Sequence, residues 1–131
     1  MAHEILPSPY PEIILMRFYG ELEIEDMHQD EAAGMNKRDR VYIMLDISDM
    51  AITLPPNFME HVRSSIVVSD NLVHIAVCTR SPTLSALVRV IGRLTGRGNK
   101  LSTHPSREEA LGRLLDLCGA NKEFGLHTVN T

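Results

Sequence analysis

Residues 41–49 read VYIMLDISD. Val41, Tyr42, Ile43, Met44, Leu45 and Ile47 form an apolar run broken only by Asp46. A strand with one wet face alternates apolar and polar residues, whereas a strand covered on both faces does not. The run therefore predicts a central strand of a parallel α/β sheet. It is too short to span a bilayer, and its β-branched and aromatic residues favour strand over helix. Ser48-Asp49 then signals a turn at the carboxyl end, where open α/β sheets place ligand and partner sites.

Upstream of this stretch, His3 to Leu6 reads as a short edge strand and Glu12 to Tyr19, EIILMRFY, as a second strand. Pro7, Pro9 and Pro11 punctuate the turn between them, so the two form an antiparallel hairpin, ended by Gly20. Glu21 to Asn36 reads as an acidic surface helix. Glu21, Glu23, Glu25 and Asp26 crowd its first part, where the helix dipole favours negative charge. The loop from Asn36 to Asp39 leads back to the central strand in a right-handed β-α-β unit.

Downstream, Met50 to Leu54 is an unusually apolar loop, and Pro55-Pro56 opens a helix with Phe58, Val62 and Ile66 on one face. Leu72 to Cys78, LVHIAVC, is a second buried strand, with His74 as a hydrogen-bonded core histidine. Ser81 caps and Pro82 begins a helix to about Thr95, with Leu84, Leu87, Val88, Ile91 and Leu94 as its core stripe and Gly96 and Gly98 as its stop. Lys100 to His104 is a last short strand. Ser106 and Glu109 form a capping box for a helix that buries Leu111, Leu114, Leu115 and Cys118 and ends at Gly119.

The chain has 131 residues and a net charge of −4 from 13 Lys+Arg and 17 Asp+Glu. That length suits one domain and buries roughly two-thirds of the unfolded chain's surface, so no disulfide or metal staple is needed. The negative balance argues against a general nucleic-acid binder. Cys78 and Cys118 lie in apolar contexts without close spacing, and read as free buried thiols of a cytoplasmic protein. No stretch predicts an integral membrane segment or a signal peptide.

The order β-β-α-β-α-β-α-β-α is carried by MRFYGELEIEDM, VYIMLDISDM, LVHIAVCTRSPTLSALVRVIGRL and STHPSREEALGRLL. From about Glu12 to Leu117 it resembles the SpoIIAA-like branch of the STAS superfamily. The resemblance implies a single α/β domain over 1–131 with a mixed, mostly parallel sheet, a core at about 12–118 and a tail at 119–131. STAS domains of the anti-sigma-factor antagonist type bind a partner kinase and are switched by phosphorylation of a Ser or Thr in a D-S-S-G or D-S-T-G setting. The matching stretch here is Thr53-Leu54-Pro55-Pro56-Asn57. Thr53 is its nearest hydroxyl, and the two prolines depart from the pattern. The general fold is also that of CRAL-TRIO domains, which hold an apolar ligand beside the sheet. Met50, Ile52, Leu54, Phe58, Met59 and Val62 would line such a pocket, or complete a core or an interface.

No histidine pair has metal-ligand spacing, and the chain lacks a nucleophile elbow, a P-loop and a dinucleotide fingerprint, so neither a cofactor nor an enzymatic activity is expected. The parallel topology predicts one meeting point, where Asp46, Ser48 and Asp49 face Thr79, Arg80 and Ser81. That group could hold an anion, or Ser81 only caps its helix while Arg80 pairs with Asp46 or Asp49. Arg89, Arg93 and Arg97 form a basic stripe suited to an acidic partner, including the acidic face of a second copy. The expectation is a regulatory or protein-interaction module of a bacterial cell, with an unknown protein partner and a possible homodimer. The alternative is a carrier of a lipid or small apolar ligand.

Overall fold

Two-sided burial shapes the computed structural model, which describes residues 3–28 and 34–130. Strand β3 (Val41–Met50) runs between β2 (Ile13–Gly20) and β4 (Leu72–Cys78) and is parallel to both. Strand β1 (His3–Leu6) pairs antiparallel with β2, and β5 (Leu101–His104) pairs parallel with β4. The five strands stand in the order β1-β2-β3-β4-β5. The predicted hairpin and the mixed, mostly parallel sheet are both present.

Successive β3 side chains enter opposite cores, as the strand's period of two requires. Val41, Ile43 and Ile47 join Ile14, Met16, Ile75 and Val77 on one face, under Leu84 and Val88 of α2 (Pro82–Thr95). Tyr42 and Met44 join Ile13, Leu15, Ala76 and Cys78 on the other, against Ala110, Leu114 and Cys118 of α3 (Arg107–Asn130). Both cysteines are free and buried.

The helix starts follow their sequence signals. Ser81 Oγ accepts from Leu84 N at 3.2 Å, and Ser106 Oγ accepts from Glu109 N at 3.2 Å. Gly96 takes a left-handed conformation with φ of 71°, which lets Arg97 N close onto the Gly92 carbonyl at 2.9 Å and ends α2.

Four expectations are corrected. The described parts of the expected acidic helix Glu21–Asn36 are short 3₁₀ turns, Ile24–Met27 and Met35–Lys37; residues 29–33 of that stretch lie outside the described residues. Its apolar stripe is too thin to dock a long helix, and most helical stability comes from such a face. Helix α1 covers only Phe58–Arg63 and starts after Pro55-Pro56, while Ile66 sits in a separate 3₁₀ turn, Ile66–Val68. Gly119 does not stop α3, which continues to Asn130. Leu94 and Leu115, placed in core stripes from their spacing, are 54% and 37% exposed.

Gly92 is buried where α2 passes the turn Gly98–Lys100, and a Cβ there would stand 2.9 Å from Gly98 Cα. In an open helix, Gly→Ala gains up to about 1 kcal/mol. Here the backbone clash reverses the sign. Gly92→Ala is expected to lower unfolding free energy by about 1–3 kcal/mol, the usual cost of overpacking, as read by denaturant melts. A stabilised variant would show that α2 and the turn separate easily.

Candidate functional site

The parallel register places Asp46 of β3 beside Cys78 of β4 at the carboxyl ends of the strands, as the topology predicted. The chemistry gathered there differs from the expected set. Asp46 is 5% exposed, and its Oδ1 accepts from Ser48 N at 2.9 Å. Its Oδ2 accepts from Arg107 Nε, at the start of α3, at 2.5 Å. Burial opposes ionisation of Asp46, but Ser48 and Arg107 outweigh it and hold the carboxyl below its usual range. Ser48 Oγ also lies 3.6 Å from Cys78 Sγ, and burial pushes that thiol upward, away from a reactive thiolate.

The other predicted members take separate structural roles. Asp49 accepts from Arg17 at 2.9 Å, and Arg17 also reaches Glu4 at 3.1 Å and stacks over Tyr19. Thr79 is buried, and its Oγ1 accepts from Ser81 N at 3.1 Å. Arg80 pairs with neither Asp46 nor Asp49; its Nε donates to the Pro105 carbonyl at 3.2 Å. Arg107 takes the place expected of Arg80, because α3 begins directly over the end of β3. Arg97 leaves the basic stripe as well: it donates to the Val68 carbonyl at 2.9 Å and ties the end of α2 to the turn Ile66–Val68.

A polar network on the α3 face joins β4 to β5. His74 Nε2 and His104 Nε2 each lie 2.7 Å from Ser102 Oγ, and the His74 ring also bonds the Asn99 backbone. The Ser102 hydroxyl thus bridges the two imidazoles. His74 is 3% exposed, and burial, with Arg113 and His104 nearby, lowers its pKa to about 4. The same burial lowers His104, with Glu109 opposing and Arg113 adding to the shift.

The opposite face of the sheet holds a cavity of about 150 Å³. Its floor is Met16, Ile43, Ile75 and Val77, and its roof comes from α1, α2 and the turn Ile24–Met27. Of the six apolar candidates, Met50, Phe58 and Val62 line it. Ile52 is 57% exposed, Leu54 lines a separate open groove with Thr53, and Met59 is half-buried outside the lining. Sequence reading missed Met16, Met27 and Met35. The available signal was their chemistry, since four of the seven methionines meet at this cavity. Among the described residues, no group of three or more His, Cys, Asp or Glu is placed to hold a metal, and no helix is long and apolar enough to cross a membrane.

The His74 shift fixes a pH dependence. The unfolded chain protonates its histidine near pH 6.5, while the folded protein resists until about pH 4. Stability from this site is therefore full above pH 6.5 and drains as pH falls toward 4, by on the order of 3 kcal/mol. Subtracting the His74→Gln profile from wild type should isolate that slope in urea melts. A flat difference would mean that His74 protonates freely in the fold.

No protein-family model and no curated protein matches the chain. Among solved structures, it is similar to an uncharacterised protein of the DUF3478 family from Shewanella loihica PV-4, described as having a SpoIIAA-like fold. The two share 16% sequence identity and a TM-score of 0.64, over 86% of this chain and 92% of that one. The element order, the strand pairing and this likeness agree: the chain has a SpoIIAA-like fold.

Proposed function

We propose that this protein is a non-enzymatic binding module whose ligand is a small apolar molecule held between the sheet and the α1/α2 layer. One observation carries the reading: the cavity of about 150 Å³ is walled almost wholly by hydrophobic side chains. Close-packed interiors do not leave such a space without cost. An apolar cavity of about this size stays dry and takes up benzene or xenon. Known small-molecule pockets are typically about 300–1,000 Å³, so the ligand is the size of one ring or a short branched chain rather than a whole lipid. The methionine walls adapt to its shape, because their unbranched side chains repack at little cost.

Benzene is the direct probe. Saturating it should raise the melting temperature of the wild-type protein, since a ligand that binds only the folded state stabilises it. Val62→Phe, which fills the cavity from α1, should remove that response. A wild-type melting temperature indifferent to benzene would overturn the reading.

A second reading, a module that binds a basic protein segment, rests on an open groove. Leu22, Ile24, Leu54, Pro55 and Pro56 form its apolar part, with Glu21, Glu23 and Glu25 along it. Glu23 is held above the usual carboxylate range by its hydrogen bond and charge repulsion with Glu25, a strain that a cationic partner relieves. Thr53 lines the same groove. A phosphate there would meet three glutamates, which argues against Thr53 as a phosphoswitch. A Lys/Arg-rich peptide should bind here and weaken steeply with salt, and Glu23→Gln with Glu25→Gln should reduce binding. Salt-independent binding would remove this reading.

A further inference from the structure

Two imidazoles meet where two walls of the cavity touch. His28 caps the turn Ile24–Met27, and His61 lies in α1 (Phe58–Arg63). Asp26 and Met27 of the turn, and Phe58 and Val62 of the helix, all line the cavity. His28 Nε2 and His61 Nδ1 are 2.9 Å apart, and the rings stand edge to face, with centroids 5.1 Å apart and an interplanar angle of 69°. His28 is exposed and His61 half-buried, so the pair is open to solvent.

The spacing is a metal bite. Imidazole nitrogens bind divalent first-row ions at about 2.0–2.1 Å, so two cis ligands at a right angle sit about 2.9 Å apart, and two on a tetrahedral ion about 3.3 Å apart. The first value is the spacing present; the second needs the rings to part by about 0.4 Å. Rotating the rings turns one N–H···N bond into two lone pairs aimed at a single ion. Among the described residues no third His, Cys, Asp or Glu completes a larger group. Imidazole selects borderline ions such as Cu²⁺, Ni²⁺ and Zn²⁺, while Mg²⁺ and Ca²⁺ require oxygen ligands.

We infer that His28 and His61 form a two-histidine site for a borderline divalent transition metal, clamping the turn to α1 across the cavity. Ion binding stands on the ring geometry alone; the clamp's effect on ligand exchange rests on the cavity reading above. A bound ion replaces one hydrogen bond with two coordinate bonds between the walls, so α1 lifts less readily and a cavity ligand leaves more slowly.

Ni²⁺ is a suitable probe, because it does not oxidise the nearby methionines. Calorimetric titration of the full chain with NiCl₂ should show one ion per chain. His28→Asn and His61→Asn should each weaken binding by about tenfold or more, with both rings' NMR signals broadened only in the wild type. Mg²⁺ should leave those signals unchanged. Absence of Ni²⁺ binding, or affinity unaltered in both variants, would overturn the site. Circular dichroism of the variants checks that a loss of affinity is not a loss of fold. In the second arm, Ni²⁺ should slow benzene exchange at the cavity in the wild type and not in His61→Asn. Unchanged exchange with Ni²⁺ bound removes the clamp and leaves the metal site. A protein that binds Ni²⁺ and takes up no benzene instead refutes the cavity reading.

Discussion

The structure depends on β3 being buried from both sides. A strand in that position must be apolar at nearly every residue, and its alternate side chains must match two different partner layers. Val41, Ile43 and Ile47 commit to the α2 layer, and Tyr42 and Met44 to α3. A one-residue slip would exchange the two sets, so the register is strongly determined. That register places Asp46 beside Cys78, within reach of Arg107, and leaves the carboxyl ends of β3 and β4 under the start of α3. The polar residues at this end are thus largely occupied in holding three elements together.

The two faces of the sheet are finished differently. The α3 face is closed by a long helix with Ala110 and Leu114 fully buried against the strands. The other face is roofed by short pieces, a six-residue helix and three 3₁₀ turns, with α2 at one side. Short pieces supply fewer interlocking side chains than a continuous helix, and the remaining space is the cavity. Ligand-handling regions are commonly built from such low-stability elements, which open without disturbing the rest. The two layers of one sheet are therefore packed to different tightness.

The sequence made the strands legible because their signals are local and strong. VYIMLDISD and LVHIAVC each declare burial without reference to the rest of the chain, and Ser81-Pro82 and Ser106 declare helix starts in the same way. The acidic stretch misled because its negative charge suits a helix start while its apolar stripe cannot anchor one. Gly119 misled because a glycine can end a helix or ride inside it, and only the neighbouring turns decide. The candidate sites were less legible, since proximity across the sheet has no local sign. Arg107 lies 61 residues from Asp46, and Ser102 lies 28 from His74. Met16, Met27, Met35 and Met50 come from four separate segments to line one space.

Both outermost strands are only four residues long, and β1 runs straight into Pro7 and Pro9. An outer strand is a template for adding another chain, and its length sets how many backbone hydrogen bonds a newcomer gains. Four residues give little, and the prolines stop the ladder from growing. Self-assembly by continuing the sheet from one molecule to the next is therefore discouraged. A second copy, or any other protein, gains more from side-chain surfaces such as Val90 and Leu94 on α2, which are 44% and 54% exposed. Polymerisation is suppressed by the same economy that keeps the sheet at five strands.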